Sequence, residues 1–394
     1  MSAAPTLRDE ARQLLREGRA AEAERAFANV LCSSPNDVEA LNVLGLAALR
    51  EGNLSRSLEL LGRAVRLRPE LHVARLYLGA ALERAKEQKA AVLQYARAMN
   101  GAQSQGQWLN AETTPAALRP LVERAVIAVR TGRRAVLDDV LASLATRFGR
   151  DALTRVERCM RVYLREETAV SPDARQQPSF LYFPGLEASP YLDRSLFPWI
   201  EAFEAGTAAI RTELQRLLPS SAGRERVFDN EVLERQHLRG LDVAPSWTGY
   251  YFYRHGQRRE DNCAACPATA EALERLPLVH VRDHGPEVLF SVFTPGTHLL
   301  PHRGVTNTRV VGHLPLVVPE NCALSVGGEV HAWKPGRVVV FDDTYEHEAW
   351  NRSAQTRVVM IFDVWHPDLT EPERTAITEL IVAIGDFRKA AEGA

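Results

Sequence analysis

The sequence predicts a multidomain α and β protein, with an N-terminal all-α solenoid of helix–turn–helix repeats and a C-terminal antiparallel jelly-roll or sandwich with flanking helices. Three observations carry this reading. Residues 10 to 100 repeat with a period of about 34, the length of a helix pair that stacks on copies of itself. The helical spacing of apolar residues stops near residue 168. Beyond it, short β-branched runs broken by turn residues fill the chain from about 288 to 365. A chain of 394 residues, 45% hydrophobic and 25% charged, is too long for one small domain and has the composition of a soluble globular protein.

The repeat can be checked position by position. Gly18 and Gly52 lie one period apart, and each is followed at the same offsets by a small residue (Ala23, Ser57), a large apolar one (Phe27, Leu61) and a proline (Pro35, Pro69). In a looser third copy Lys86 takes the glycine position, Ala91 and Tyr95 the small and large ones, and Leu78-Gly79 repeats Leu44-Gly45. The small residues let the two helices of a unit approach, the large ones fill the groove of the next, and the proline stops the second helix. This pattern resembles the tetratricopeptide repeat.

So short an array needs a cap for its last apolar face. Leu118, Leu121, Val122, Ala125, Val126 and Val129 recur at helical spacing, and Leu137, Val140, Leu141 and Leu144 resume it after Thr131-Gly132. The expected domains are therefore a repeat domain over 1–105, a helical cap or connector over 106–169 and a β domain over 170–394. Ser171-Pro172-Asp173 and Gln176-Gln177-Pro178 read as the linker into the last.

Charge and cysteine content exclude several classes. Forty-eight basic residues against fifty acidic ones give a formal charge of -2, so no global field exists to grip a nucleic-acid backbone. Residues 1–105 hold 15 Lys+Arg and 12 Asp+Glu, a net +3, which leaves -5 for the rest. That asymmetry suits an acidic peptide as a partner of the repeats, or only solvated helix faces. No stretch has the roughly 18 uncharged apolar residues of a membrane span, and Met1 to Glu10 has no apolar signal core. A cytoplasmic protein is expected. Among the cysteines only Cys263 and Cys266 have CxxC spacing, and without a second pair for zinc they read as plain thiols.

The strands are expected at Val288 to Phe293, His313 to Val318, Ala323 to Val326, Glu329 to Trp333, Arg337 to Phe341 and Arg357 to Trp365. Gly327-Gly328 and Lys334-Pro335-Gly336 form turns between them. Thr370-Glu371-Pro372-Glu373 opens a final helix with a capping box, and Ile377, Leu380, Ile381 and Ile384 form its apolar face. Six histidines fall in this region: His298, His302, His313, His331, His347 and His366. A strand histidine is most often a hydrogen-bonded structural residue. His302 and His347 stand out, the first after Pro295-Gly296-Thr297 and before Arg303-Gly304, the second after Phe341-Asp342-Asp343. Imidazoles at the mouth of a small barrel suit an open-sided Fe(II) site.

Several segments carry a resemblance. Phe290 to His298, His302 to Arg309, His313 to Pro319, Phe341 to Glu348 and Phe362 to Pro367 resemble, in order, the aspartyl/asparaginyl β-hydroxylases. The resemblance implies a double-stranded β-helix, Fe(II) as cofactor, and 2-oxoglutarate and O2 as cosubstrates. It makes His302 and His347 metal ligands, Arg357 the partner of the distal carboxylate of 2-oxoglutarate, and Ser291 and His313 further hydrogen-bonding partners of that cosubstrate. Gly304 stands where most such dioxygenases carry a third, carboxylate ligand; in the hydroxylases resembled here glycine is normal at that place. From the residues alone, Arg357, Ser291 and His313 read as structural: an exposed strand arginine, a strand hydroxyl and a buried imidazole bonded to backbone. Asp342 and Asp343 read as a turn that aims His347.

The reaction implied is hydroxylation of an unactivated carbon, foremost the β-carbon of Asp or Asn in a peptide or protein that the repeats would help to hold. Arg309, and more weakly Arg303, are the candidate substrate-binding cations, and Val311 stands where a second arginine is expected. The alternatives are a lipid acyl-chain hydroxylase of the same family, or a repeat scaffold with a retired barrel.

Overall fold

Six helices open the chain: α1 (Leu7–Arg16), α2 (Ala20–Ser33), α3 (Val38–Arg50), α4 (Leu54–Leu67), α5 (His72–Arg84) and α6 (Gln88–Ser104). The repeat register is visible in the backbone. Gly18 and Gly52 close the first helix of their pairs with φ of 73° and 81°, and Lys86 adopts φ 64° at the equivalent place. Glycine takes that left-handed conformation at little cost, whereas the lysine is strained by it. Ala23, Phe27, Ser57, Leu61, Ala91 and Tyr95 are all buried.

The computed structural model describes residues 6–220, 222–228, 230–240 and 245–392. Two units result: one runs to Asp139 and takes in the chain from Ala383 onward, and the other is Val140–Val382. The long helix α7 (Arg119–Phe148) supplies residues to both. It continues through Thr131-Gly132 without a break. A Cβ at Gly132 would lie 2.7 Å from Val92 of α6, so the glycine permits close packing of two helices and ends neither.

The second unit adds α8 (Thr154–Tyr163), α9 (Ile200–Ala205), α10 (Thr207–Leu217), β1 (Arg224–Arg226), α11 (Glu231–His237), β2 (Leu238–Arg239), β3 (Trp247–Arg254), β4 (Gln257–Arg258), α12 (Glu260–Ala265) and α13 (Pro267–Glu274). Then come β5 (Val288–Phe293), β6 (His298–His302), β7 (Arg309–Val317), β8 (Cys322–Val326), β9 (Glu329–His331), β10 (Val339–Phe341), β11 (His347–Asn351) and β12 (Arg357–Trp365), followed by α14 (Glu371–Glu392). One antiparallel sheet has the order β1-β3-β5-β12-β7-β10, with β4 on β3; the other has β2-β6-β11-β8-β9. β5 and β12 have the predicted bounds, whereas β7 begins four residues earlier than expected.

The alternation of β12 explains where the site lies. Val358, Met360, Phe362 and Val364 pack with Phe203 of α9, Ile210 and Leu214 of α10 and Leu273 of α13 in one apolar cluster. The odd-numbered residues from Arg357 to Asp363 must then point the other way, toward the second sheet. There Val359 joins Leu299, Leu324 and Ala349 of β6, β8 and β11. Arg357 is thus carried into the space between the sheets by a strand whose neighbours are apolar. Cys263 and Cys266 are buried in the helix-side cluster, and burial pushes the Cys266 thiol up to about 11.

The segment expected to be a linker is part of the second unit's fabric. Gln176 donates through Nε2 to Asp342 Oδ2 at 2.6 Å, Gln177 N donates to Thr344 O at 3.0 Å, and the Tyr345 hydroxyl donates to Asp173 Oδ2 at 3.2 Å. These bonds brace the turn that leads into His347. At the start of α14, Thr370 and Glu373 exchange the expected capping bonds at 2.9 and 3.4 Å.

Candidate active site

A cavity of about 370 Å³ opens between the two sheets. His302 ends β6 and His347 begins β11, and the antiparallel register sets them directly opposite one another. Their ring centroids are 4.0 Å apart. Each Nδ1 is bound to a main-chain carbonyl two residues earlier, that of Leu300 at 2.9 Å and that of Tyr345 at 3.1 Å. This fixes the tautomer whose lone pair is on Nε2. Burial holds both imidazoles down at about 4, and His347 lowers His302 further. Both are therefore neutral at neutral pH, the state in which an imidazole can bind a metal.

The floor of the cavity is cationic. Arg357 is fully buried and, among the described residues, is in no ion pair. Its Nη1 donates to Ser291 Oγ at 3.2 Å and to Ser291 O at 3.3 Å, while Trp247 Nε1 donates to the same Oγ at 2.9 Å. Its guanidinium carbon is 3.7 Å from the centre of the Phe293 ring and 5.0 Å from that of Trp333. Burial pulls this guanidinium down to about 9. Arg357 Nε, His313 Nδ1 and Trp333 Nε1 are buried without a protein partner. Native structures rarely leave such groups unsatisfied, so three in one corner point to an acceptor from outside the chain.

In the cavity wall, Arg309 donates through Nη1 to Asp363 Oδ1 at 2.6 Å and through Nη2 to Asp343 Oδ2 at 3.1 Å. Two carboxylates thus hold the cation that the sequence offers to a substrate. Arg303 is turned to Glu346 at 3.0 Å and is not among the cavity's lining residues. Val311, Leu289, Leu299, Leu324 and Ile361 supply apolar wall to the same cavity. Two of the other candidate histidines are engaged elsewhere: His298 bonds Glu348 at 2.7 Å, and His366 bonds Glu187 O at 3.3 Å.

Asp343 lines the cavity, although its neighbours suggested only a turn. A Cβ at Gly304 would fall inside the Asp343 carboxylate, whose Oδ1 has no partner. Asp343 therefore fills the space that a side chain two residues after His302 would take. Gly304→Ala is expected to cost about 1–3 kcal/mol of stability by overpacking. The same substitution should cost clearly less in an Asp343→Ala background, as a double-mutant cycle in urea would measure. Trp247 was also missed, although the run Trp247-Thr-Gly-Tyr-Tyr-Phe-Tyr253 has the aromatic content of a strand.

Burial holds the carboxyl of Glu287, which also lines the cavity, up at about 7, above its ordinary 4.5. Between these values the folded chain binds more protons than the unfolded one, so this residue makes stability fall as pH rises through the window. Glu287→Gln should flatten that slope by on the order of 1 kcal/mol. Urea midpoints at about pH 5 and about pH 7.5, compared with wild type, check this.

Residues 204–367 match the family described as aspartyl/asparaginyl beta-hydroxylase, and residues 14–77 match the tetratricopeptide repeat. The β domain is thus similar to the aspartyl/asparaginyl β-hydroxylases. Three relatives show the range of the similarity. The human aspartyl/asparaginyl beta-hydroxylase is 38% identical over 132 residues, 33% of this chain and 17% of its own length. The ornithine lipid ester-linked acyl 2-hydroxylase of Rhizobium tropici is 34% identical over 188 residues, 47% and 63% of the respective chains. The aspartate beta-hydroxylase domain-containing protein 2 of Xenopus tropicalis is 28% identical over 247 residues, 61% and 64%. The chain thus covers less than two thirds of the length of each of these hydroxylase-family relatives.

Proposed function

We propose that this protein is an Fe(II)- and 2-oxoglutarate-dependent dioxygenase that hydroxylates an unactivated carbon. The buried, ion-pair-free Arg357 at the floor of a cavity bearing two neutral imidazoles carries this reading. A planar guanidinium in an apolar site favours a carboxylate that it can bind with two parallel bonds. The residues fit both groups: His302 and His347 would hold iron through Nε2, and Arg357, Ser291 and His313 would take the distal carboxylate of 2-oxoglutarate. Iron, cosubstrate and O2 would supply the oxidising power needed to remove hydrogen from such a carbon. The chain's own part is to orient the cosubstrate by its far end, to keep water out with Phe293, Leu289 and Leu299, and to hold the two imidazoles neutral.

The acceptor reading that goes with the family is the β-carbon of Asp or Asn in a peptide or protein held by the repeats. A second reading, an acyl chain, is favoured by a specific observation: Val311 offers no charge, and Arg309 is engaged by Asp343 and Asp363. The likeness to the Rhizobium lipid hydroxylase is in keeping with it. The test is iron-dependent release of succinate from 2-oxoglutarate in air, followed by mass spectrometry of candidate acceptors for a gain of one oxygen. Stimulation by Asp- or Asn-containing peptides supports the first reading, and stimulation by acyl lipids the second. Absence of succinate together with no binding of iron or 2-oxoglutarate would leave the repeats as the functional part.

A further inference from the structure

A second pocket, of about 700 Å³, lies wholly in the repeat unit, between α4, α5 and α6 and beside the end of α14. Three arginines line it: Arg66 from α4, Arg75 from α5 and Arg97 from α6. Among the described residues none of the three is in an ion pair. Arg75 is the most constrained, at 8% exposure. It donates to Gln94 Oε1 and to Pro69 O, each at 3.1 Å. Both acceptors are neutral, and burial together with nearby Arg97 disfavours its charge. Arg97 donates through Nε to Ala390 O at 2.7 Å, again a neutral group. His72 stands in the same wall, and both of its ring nitrogens are buried without a partner. Of the two carboxylates on the rim, Glu70 is turned to Arg68 at 3.2 Å, and Glu392 pairs with none of the arginines.

A buried cation satisfied only by neutral acceptors is costly, and two further guanidinium groups at the same pocket add repulsion. An anion entering from solvent would offset both terms and would find several N–H donors at once. We infer that this pocket binds a small anion bearing carboxylate or phosphate groups. The site is separate from the barrel cavity and uses none of its residues. Its three arginines come from three helices, so the anion would bind only to the folded repeat unit and would tie the second and third helix pairs together. Such binding stabilises the fold in proportion to ligand concentration and weakens as salt rises.

The experiment is calorimetric titration of the full chain at low ionic strength, with inorganic pyrophosphate and citrate as separate probes. Saturable binding of at least one probe is expected, weakened at least tenfold in Arg66→Gln and in Arg97→Gln and persisting in Arg357→Met, which removes the barrel's own cation. Arg66 is exposed, so its substitution leaves the fold intact; thermal melting of each variant checks this. Binding of pyrophosphate alone assigns a phosphate ligand, of citrate alone a carboxylate, and of both a general oxyanion site. No binding of either probe, or binding lost in Arg357→Met but kept in both repeat variants, would overturn the inference.

Discussion

Arg357→Met is expected to weaken 2-oxoglutarate binding and to stabilise the ligand-free protein at the same time. Among the described residues the fully buried guanidinium meets no acid and its Nε no acceptor, and burial has already pulled it down to about 9. Removing one partner of a buried charge pair costs about 3–5 kcal/mol, roughly two to three and a half decades in affinity. Without ligand the balance reverses. An unbranched apolar side chain of similar length removes an unsatisfied buried cation, and such replacements are neutral or stabilising by about 1–4 kcal/mol. Calorimetry with 2-oxoglutarate and urea denaturation of the ligand-free protein measure the two effects. A loss of stability with unchanged affinity would show that Arg357 serves the fold alone.

The second large effect concerns the opposed imidazoles. His302→Ala and His347→Ala should each abolish iron-dependent succinate formation, by at least about 100-fold, the upper end of what losing even an outer-shell partner costs. Each should also lose the bound metal equivalent, because two histidines are all that the described chain brings together there: no group of three or more His, Cys, Asp or Glu suited to a metal occurs among the described residues. His298→Ala is the control. It lies on the same strand as His302, but its ring is bonded to Glu348, so turnover and metal content should stay within about twofold of wild type, as expected of a substitution away from a site. Equal loss in all three variants would mean that the strand, and not the ligand pair, had been damaged.

Much of this was legible in the linear chain because its signals are local. A helical repeat announces itself through small and large residues at fixed offsets, and the backbone at Gly18, Gly52 and Lys86 follows that register. β5 and β12 were readable to the residue, since a strand buried on both faces is a continuous run of apolar and β-branched side chains. His302 and His347 could be singled out by their local context and the family likeness, Arg357, Ser291 and His313 by the likeness alone. They are 66 positions apart at the extremes, and only strand pairing sets them around one cavity.

What the sequence by itself determined is the order of the elements and the residue types available to the site. Tertiary structure decided which of those residues are free to act. Arg309 and Arg357 are both inward-facing arginines on neighbouring strands, yet one is bound by Asp343 and Asp363 and the other meets no acid among the described residues. Asp343 enters the cavity because Gly304, far away in sequence, leaves room for its carboxylate. The reason is physical: backbone periodicity is a property of neighbours along the chain, whereas charge pairing and close packing depend on distances in space that no local pattern encodes.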